Sequence, residues 1–159
     1  MSCEDGFFGL DNAPLVRPAT ASDLPRIQAW MAPHLTTGVL RARPLVSRDF
    51  LVSQQGCVAL DWWADGAMEL GSLVSAQPGH GRALVAAALA RASELGGQRV
   101  LCLTGAPGFF ERLGFVRVAN GRPPHLQVKP CPAVAWKAER CRRCPDAAAC
   151  TQVLMEVWL

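Results

Sequence analysis

Apolar residues along the chain fall into blocks of strand or helix length, set apart by glycine, proline and polar turns. The clearest block is ELGSLVSAQPGHGRALVAAALARASEL, residues 69–95. Its opening, Glu69 to Ser75, is apolar or small and of strand length, and Gly71 inside it marks a bulge or a close backbone approach. Its close, Arg82 to Leu95, is nearly all Ala, Leu, Val and Arg with no breaker, which predicts a helix. Gln77-Pro78-Gly79-His80-Gly81 turns one into the other. Ala83, Ala86, Ala87, Ala88 and Ala90 predict a close helix-to-sheet packing surface.

Upstream, residues 1–14 form a peripheral lead, and Leu15-Val16-Arg17 predicts a short first strand. Thr20 and Asp23 stand in capping-box register before a helix from about Ala21 to Met31. Leu24, Ile27 and Met31 share one face of it, and Pro25 is tolerated in the first turn. Phe50-Leu51-Val52 and Cys57 to Trp63 read as strands joined at Gln55-Gly56, with Asp65-Gly66 as a hairpin turn before the central strand. Downstream, Arg99 to Thr104 is a buried-strand pattern, Phe115 to Val118 a sixth strand, and Thr151 to Leu159 a last strand that must return to the sheet. Between these lies a polar insertion, Ala119 to Cys150, rich in Pro and Cys and so long that it should be functional or stapled. The pattern predicts one α+β domain, residues 15–159, around a mixed sheet.

Composition narrows the function classes. The net charge of +3 comes from scattered arginines, which gives no footprint for nucleic acid but suits an anionic cofactor or substrate. No apolar run approaches the length of a membrane span. Seven cysteines is an odd number, and the N-terminus lacks the basic start and apolar stretch of a signal peptide, so a cytoplasmic protein with thiols reduced or metal-bound is expected. A homodimer through edge-strand pairing stays open.

The glycine turn into a helix exposes unpaired N–H groups at the positive end of the helix dipole, an arrangement that binds phosphate. Taken alone it fits an ordinary tight connection equally well. Together with Glu69-Leu70-x-Ser72-Leu73, the LT strand end at Leu103-Thr104 and FFERLGF at residues 109–115, it resembles the GNAT superfamily of acetyl-CoA-dependent N-acetyltransferases. The resemblance implies a mixed, mostly antiparallel central sheet flanked by helices, with a bulged central strand splayed from its neighbour. It implies acetyl-CoA as co-substrate, with Leu73, Val74, Gly79, His80, Gly81, Arg82 and Phe110 on the cofactor. Leu73 and Val74 N–H groups would polarise the thioester carbonyl, and Glu69 would serve as base. Two departures stand out: the chain has no tyrosine to protonate the leaving thiolate, and Gln77 sits one residue closer to Gly79 than in the family pattern. His80 is expected at an exposed position.

The acceptor is suggested by Gly38-Val39-Leu40-Arg41-Ala42-Arg43 and by Cys141-x-x-Cys144-Pro145 with Cys150. Both resemble short stand-alone amino-acid N-acetyltransferases of the N-acetylglutamate synthase kind, linked to amino-acid biosynthesis. This implies glutamate as acceptor, Arg43 and secondarily Arg41 gripping its carboxylate, and small-molecule partners without nucleic acid or membrane. Other acceptors, such as a toxic amino-acid analogue, and a binding or regulatory module with little turnover remain alternatives. Cys141, Cys144 and Cys150, with Cys131 or His125 as fourth ligand, have spacing compatible with structural zinc; disulfide and free thiols are the competing readings.

Overall fold

A computed structural model of the chain describes residues 14–40, 42–63, 66–118 and 152–159. In chain order the elements are β1 (Arg17–Pro18), α1 (Leu24–Thr36), β2 (Phe50–Ser53), β3 (Gly56–Trp62), β4 (Ala67–Ser75), α2 (His80–Glu94), β5 (Arg99–Thr104), α3 (Pro107–Glu111), β6 (Val116–Arg117) and β7 (Val153–Trp158), with one-turn 3-10 segments at Ala21–Asp23 and Ser47–Asp49. The strands of the described residues form one sheet ordered β1-β2-β3-β4-β5-β7-β6. Only β4 and β5 run parallel; the rest pair antiparallel. This is the mixed α+β sheet that the element order predicts, with the mostly antiparallel pairing that the resemblance implies. The single parallel step follows from α2, since parallel neighbours need a crossover.

The final strand enters between β5 and β6, pairing Val100↔Val157 and Cys102↔Met155 on one side and Val116↔Glu156 on the other. Its return completes the sheet, and Leu154 and Met155 are fully buried there.

Two layers of core flank the sheet. On one side Val58, Leu60, Met68, Leu70, Val100 and Cys102 pack against Leu84, Val85, Ala88 and Ala92 of α2 and Phe110 and Phe115 near α3. On the other, Phe50, Val52, Cys57, Ala59 and Val74 pack against Ile27 and Met31 of α1. Alternation along β3 sends 57 and 59 to the α1 side and 58 and 60 to the α2 side, as a strand buried on both faces requires.

Three sequence expectations shift. Helix α1 runs through Pro33 to Thr36 instead of ending at Met31, because a proline near a C-terminus removes one donor without displacing the buried Ile27 and Met31. The buried stripe of α2 is Gly81, Leu84, Val85, Ala88 and Ala92; of the predicted alanine surface only Ala88 lies in it, since larger residues set the helix phase. The first strand is Arg17–Pro18, further along than Leu15-Val16-Arg17. The insertion at 119–150 and most of the lead at 1–14 fall outside the described residues. Among the described residues no helix is long and apolar enough to cross a membrane.

Candidate active site

The site begins with an irregularity in β4. Its ladder with β3 runs Asp61↔Glu69, Leu60↔Leu70, Ala59↔Gly71 and then Cys57↔Val74, so three steps along β4 match two along β3. The extra residue falls at Ser72-Leu73, and Ser72 takes φ +49°. A lone non-glycine residue in the left-handed region costs about 1–3 kcal/mol, and a hydrogen bond from the Cys57 thiol to the Ser72 carbonyl, at 3.6 Å, helps hold it. The bulge therefore lies just beyond Gly71, which keeps its place in the ladder.

A bulge bends its strand, and β4 parts from β5. The parallel pairing covers only Ala67↔Arg99, Met68↔Val100 and Glu69↔Leu101, although β4 continues to Ser75 and β5 to Thr104. Past Glu69 and Leu101 the two strands form a wedge. Near its mouth opens a cleft of about 470 Å³ lined by Leu73, Ser75, Ala76, Gln77, Pro78, Gly79, Gly81, Arg82 and Phe109.

Helix α2 points its N-terminus into this cleft. Gly79 caps it at φ +86°, a conformation suited to glycine, and no side chain caps the helix. Ala83 N–H gives the first helical bond, to the Gly79 carbonyl at 3.2 Å. The N–H groups of Gly81 and Arg82 thus precede the ladder, at the positive end of the helix dipole. A Cβ on Gly81 would stand 3.6 Å from both Phe109 Cζ and Ser75 Cβ. The bare glycine keeps that corner open.

Leu73, Gly79, Gly81 and Arg82 are thus gathered at one cleft, while three other cofactor candidates are placed differently. Phe110 is buried, stacked edge to face between Phe109 and Phe115 at centroid distances of 5.1 and 5.2 Å. Helical phase turns Phe109, its neighbour, to the cleft instead. His80 is half-buried rather than exposed, with Nδ1 3.0 Å from the Ser53 hydroxyl. Ser53 Oγ also accepts the Gln55 N–H at 3.2 Å. The Val74 side chain packs into the α1-side core, so only its backbone can serve the wedge. Sequence reasoning missed Ser75, Ala76 and Phe109; the strand end and the first aromatic of FFERLGF were the available signals.

The opposite face of the wedge carries charge. Glu69 Oε2 accepts the indole N–H of Trp63 at 2.6 Å, and Trp63 is itself 2% exposed. An indole only donates, so it fixes which way the carboxylate turns. Across the ladder from Glu69 stands Asp61, buried, and Arg43 closes on it with Nη1 to Oδ2 at 3.0 Å and Nη2 to Oδ1 at 2.9 Å. Arg43 also lies over the Phe50 ring at 4.9 Å and 3.5 Å from Asp49. Its side chain is 2% exposed. This corrects the expectation for Arg43: the fork that was to clasp a substrate carboxylate is closed on the protein's own. Arg41 lies outside the described residues, as do Cys131, Cys141, Cys144, Cys150 and His125. Among the described residues no group of three His, Cys, Asp or Glu side chains is placed to hold a metal.

Cys57 and Cys102 are buried free thiols. Burial pushes Cys57 up to about 12, against a smaller opposing pull from Arg43; it pushes Cys102 up as well, helped by the Glu69 charge. Neither forms a thiolate at neutral pH, so neither is a nucleophile.

No family model matches the chain. It is 28% identical over 154 residues to an uncharacterised N-acetyltransferase of Chlorobaculum tepidum, covering 88% of this chain and 93% of the relative. Among solved structures, Rv2747 of Mycobacterium tuberculosis, in complex with CoA and a second ligand, superposes with TM-score 0.70 at 26% identity, over 92% of this chain and 99% of that one. N-acetylglutamate synthase of Neisseria gonorrhoeae, complexed with coenzyme A and N-acetyl-glutamate, also gives TM-score 0.70, at 19% identity and over 91% of this chain. The chain spans about a third of that protein, 35% of its length.

Proposed function

We propose, for a chain that is an N-acetyltransferase of the GNAT fold, that it moves acetyl from acetyl-CoA to the α-amino group of a small amino acid, with glutamate the first acceptor to test. The observation that carries the reading is the wedge: β4 and β5 part immediately beyond Glu69 and Leu101, and the unpaired N–H groups of α2 face the cleft at its mouth. The residues present fit a diphosphate. Gly81 and Arg82 supply free N–H donors, the Arg82 side chain is an exposed cation, and the missing Cβ of Gly81 leaves room. Leu73 and Phe109 offer apolar walls for the arm that carries the thioester.

In the proposed reaction the amine nitrogen attacks the thioester carbonyl carbon, the C–S bond breaks, and coenzyme A leaves as thiolate. Backbone N–H groups at Leu73 and Val74, beside the bulge, stabilise the developing oxyanion; a preorganised donor of this kind lowers a barrier by about 3 kcal/mol. Glu69, oriented by Trp63, takes the ammonium proton directly or through a water. Phe109 and Phe110 have no proton to give, so the thiolate is protonated by solvent. Glutamate is supported by the Neisseria neighbour, whose complex holds N-acetyl-glutamate; Arg43, already paired with Asp61, has no part in holding it.

The test is calorimetric titration with acetyl-CoA followed by thiol release across a panel of amino acids. Saturable binding and turnover with glutamate are expected. Binding with turnover on another amine replaces the acceptor alone, and the absence of both binding and thiol release rejects the reading.

A further inference from the structure

The acceptor face brings two carboxylates together where the sheet alone would force them apart. Asp61 and Glu69 are direct cross-strand partners, which places their Cβ atoms on one face about 5 Å apart. Like charges so placed oppose each other, and burial sharpens the opposition. Asp61 is 5% exposed, so water does little to relieve it. Arg43, eighteen positions upstream, offsets it: its two Nη groups bind both Asp61 oxygens, and its guanidinium is held by the Phe50 ring, the Pro44 carbonyl and Asp49.

We propose that Arg43 is a positioning residue that acts on Glu69 through Asp61: by pairing with Asp61 it offsets the cross-strand repulsion that would turn the Glu69 carboxylate out of the orientation set by Trp63. This rests on Glu69 as the base of the proposed reaction. The pair also ties the loop before β2 to the strand that faces the catalytic carboxylate, so the acceptor side and the base share one electrostatic unit. Arg43 touches no substrate in this arrangement. Removing it leaves Asp61 charged and buried beside Glu69; removing the Asp61 charge as well takes the cause away.

The experiment compares Arg43→Met, Arg43→Met/Asp61→Asn and Glu69→Gln with the parent, reading Tm and steady-state thiol release with the amine that the parent turns over best. Arg43→Met is expected to lower kcat about tenfold or more, since a mispositioned base forfeits part of its contribution, while KM for amine and acetyl-CoA stays within about twofold, as expected when no uniform binding is lost. The double variant is expected to recover kcat to within about threefold of the parent, the non-additivity of residues acting as one unit. A KM for the amine raised about tenfold with kcat retained identifies a substrate clamp and overturns the proposal. So does a folded double variant that stays inactive, which is the decisive reading if Arg43→Met proves insoluble. Glu69→Gln separates the two levels: unchanged kcat removes the base assignment and this inference with it, whereas loss of kcat without rescue in the double variant removes this inference alone. A parent that acetylates no amine overturns both.

Discussion

The two sides of the wedge are built from different materials. The side proposed for the cofactor is mostly backbone: an αL glycine cap, N–H groups ahead of the α2 ladder, a bare Gly81, and the apolar walls of Leu73 and Phe109. The side proposed for the acceptor is mostly side chain: Arg43, Asp61, Glu69 and Trp63, buried or nearly so and held by hydrogen bonds between 2.6 and 3.0 Å. Backbone sites ask only for small residues and free amides, so they fail by obstruction. Side-chain networks ask for every partner at once, because a single deletion strands a buried charge.

The most severe break should therefore come from the acceptor side. Asp61→Ala removes both short hydrogen bonds that the buried Arg43 guanidinium makes to that carboxylate. Breaking a buried pair from one end costs about 3–5 kcal/mol, which in a domain of this size lowers Tm by about 10 °C; thermal denaturation checks it. A fall of a degree or two would mean that water or the loop readily absorbs the loose charge, and the contrast between the sides would weaken.

The cofactor side should break by obstruction. Gly81→Glu places a bulky anion at the open corner, and acetyl-CoA affinity is expected to fall about tenfold or more through lost space and like-charge repulsion, with Tm nearly unchanged. Gly81→Ala and Gly79→Ala sharpen the point by moving stability in opposite directions. At 81 an added methyl meets ordinary van der Waals distances and gains about 0.5–1 kcal/mol of helix propensity. At 79 the φ of +86° makes the same change cost about 1 kcal/mol or more. Calorimetry and urea denaturation on the three variants give the answer.

Trp63→Phe should produce the next effect, again on the acceptor side. It removes one donor to a carboxylate, worth about 1.5–3 kcal/mol, and keeps most of the ring's packing against Leu101 and Leu154. We expect kcat to fall by more than KM changes. An equal effect on Glu69→Gln protein would show that the indole works by packing and not through Glu69.

This division also explains what the sequence reveals. The cofactor side is local in sequence: strand, glycine turn and helix follow one another over residues 69–95, and β5 falls on Arg99–Thr104 as its pattern predicts. The capping box is equally local, and Thr20 N–H donates to Asp23 at 2.8 Å. Arg43 meets Asp61 only through the register of β3 and the path of an irregular loop, which no periodicity encodes, so a conspicuous arginine reads as a ligand clamp when it is a buried partner. Phe109 and Phe110 fail for a smaller reason: adjacent residues on a one-and-a-half-turn helix differ by about 100° in direction, and only the packed structure decides which one faces the cleft.

A second arginine–aspartate pair sets an exposed cation against the buried one, with Arg26 also 3.0 Å from the same Asp23 carboxylate. Arg17 binds Asp23 at 2.7 and 2.9 Å with the same forked geometry as Arg43 on Asp61, yet its side chain is 48% exposed where that of Arg43 is 2%. The hydrogen bonds from Arg17, then from Thr20, hold the Asp23 carboxyl well below the usual carboxylate range. A depressed folded-state value stabilises the fold above the unfolded value, about pH 4, and the contribution fades as pH falls further. Asp23→Asn should therefore be less stable than the parent at pH 7, by less than Asp61→Ala because solvent screens the exposed cation. The gap should narrow steadily below about pH 4 as Asp23 of the unfolded parent takes up a proton that the folded carboxylate still resists. Urea denaturation of both proteins at pH 7, 4 and 3 measures it. A gap that does not change with pH would mean that Asp23 acts as a neutral cap for the turn at Ala21–Asp23, and the exposed pair would no longer serve as the solvated counterpart of the buried one.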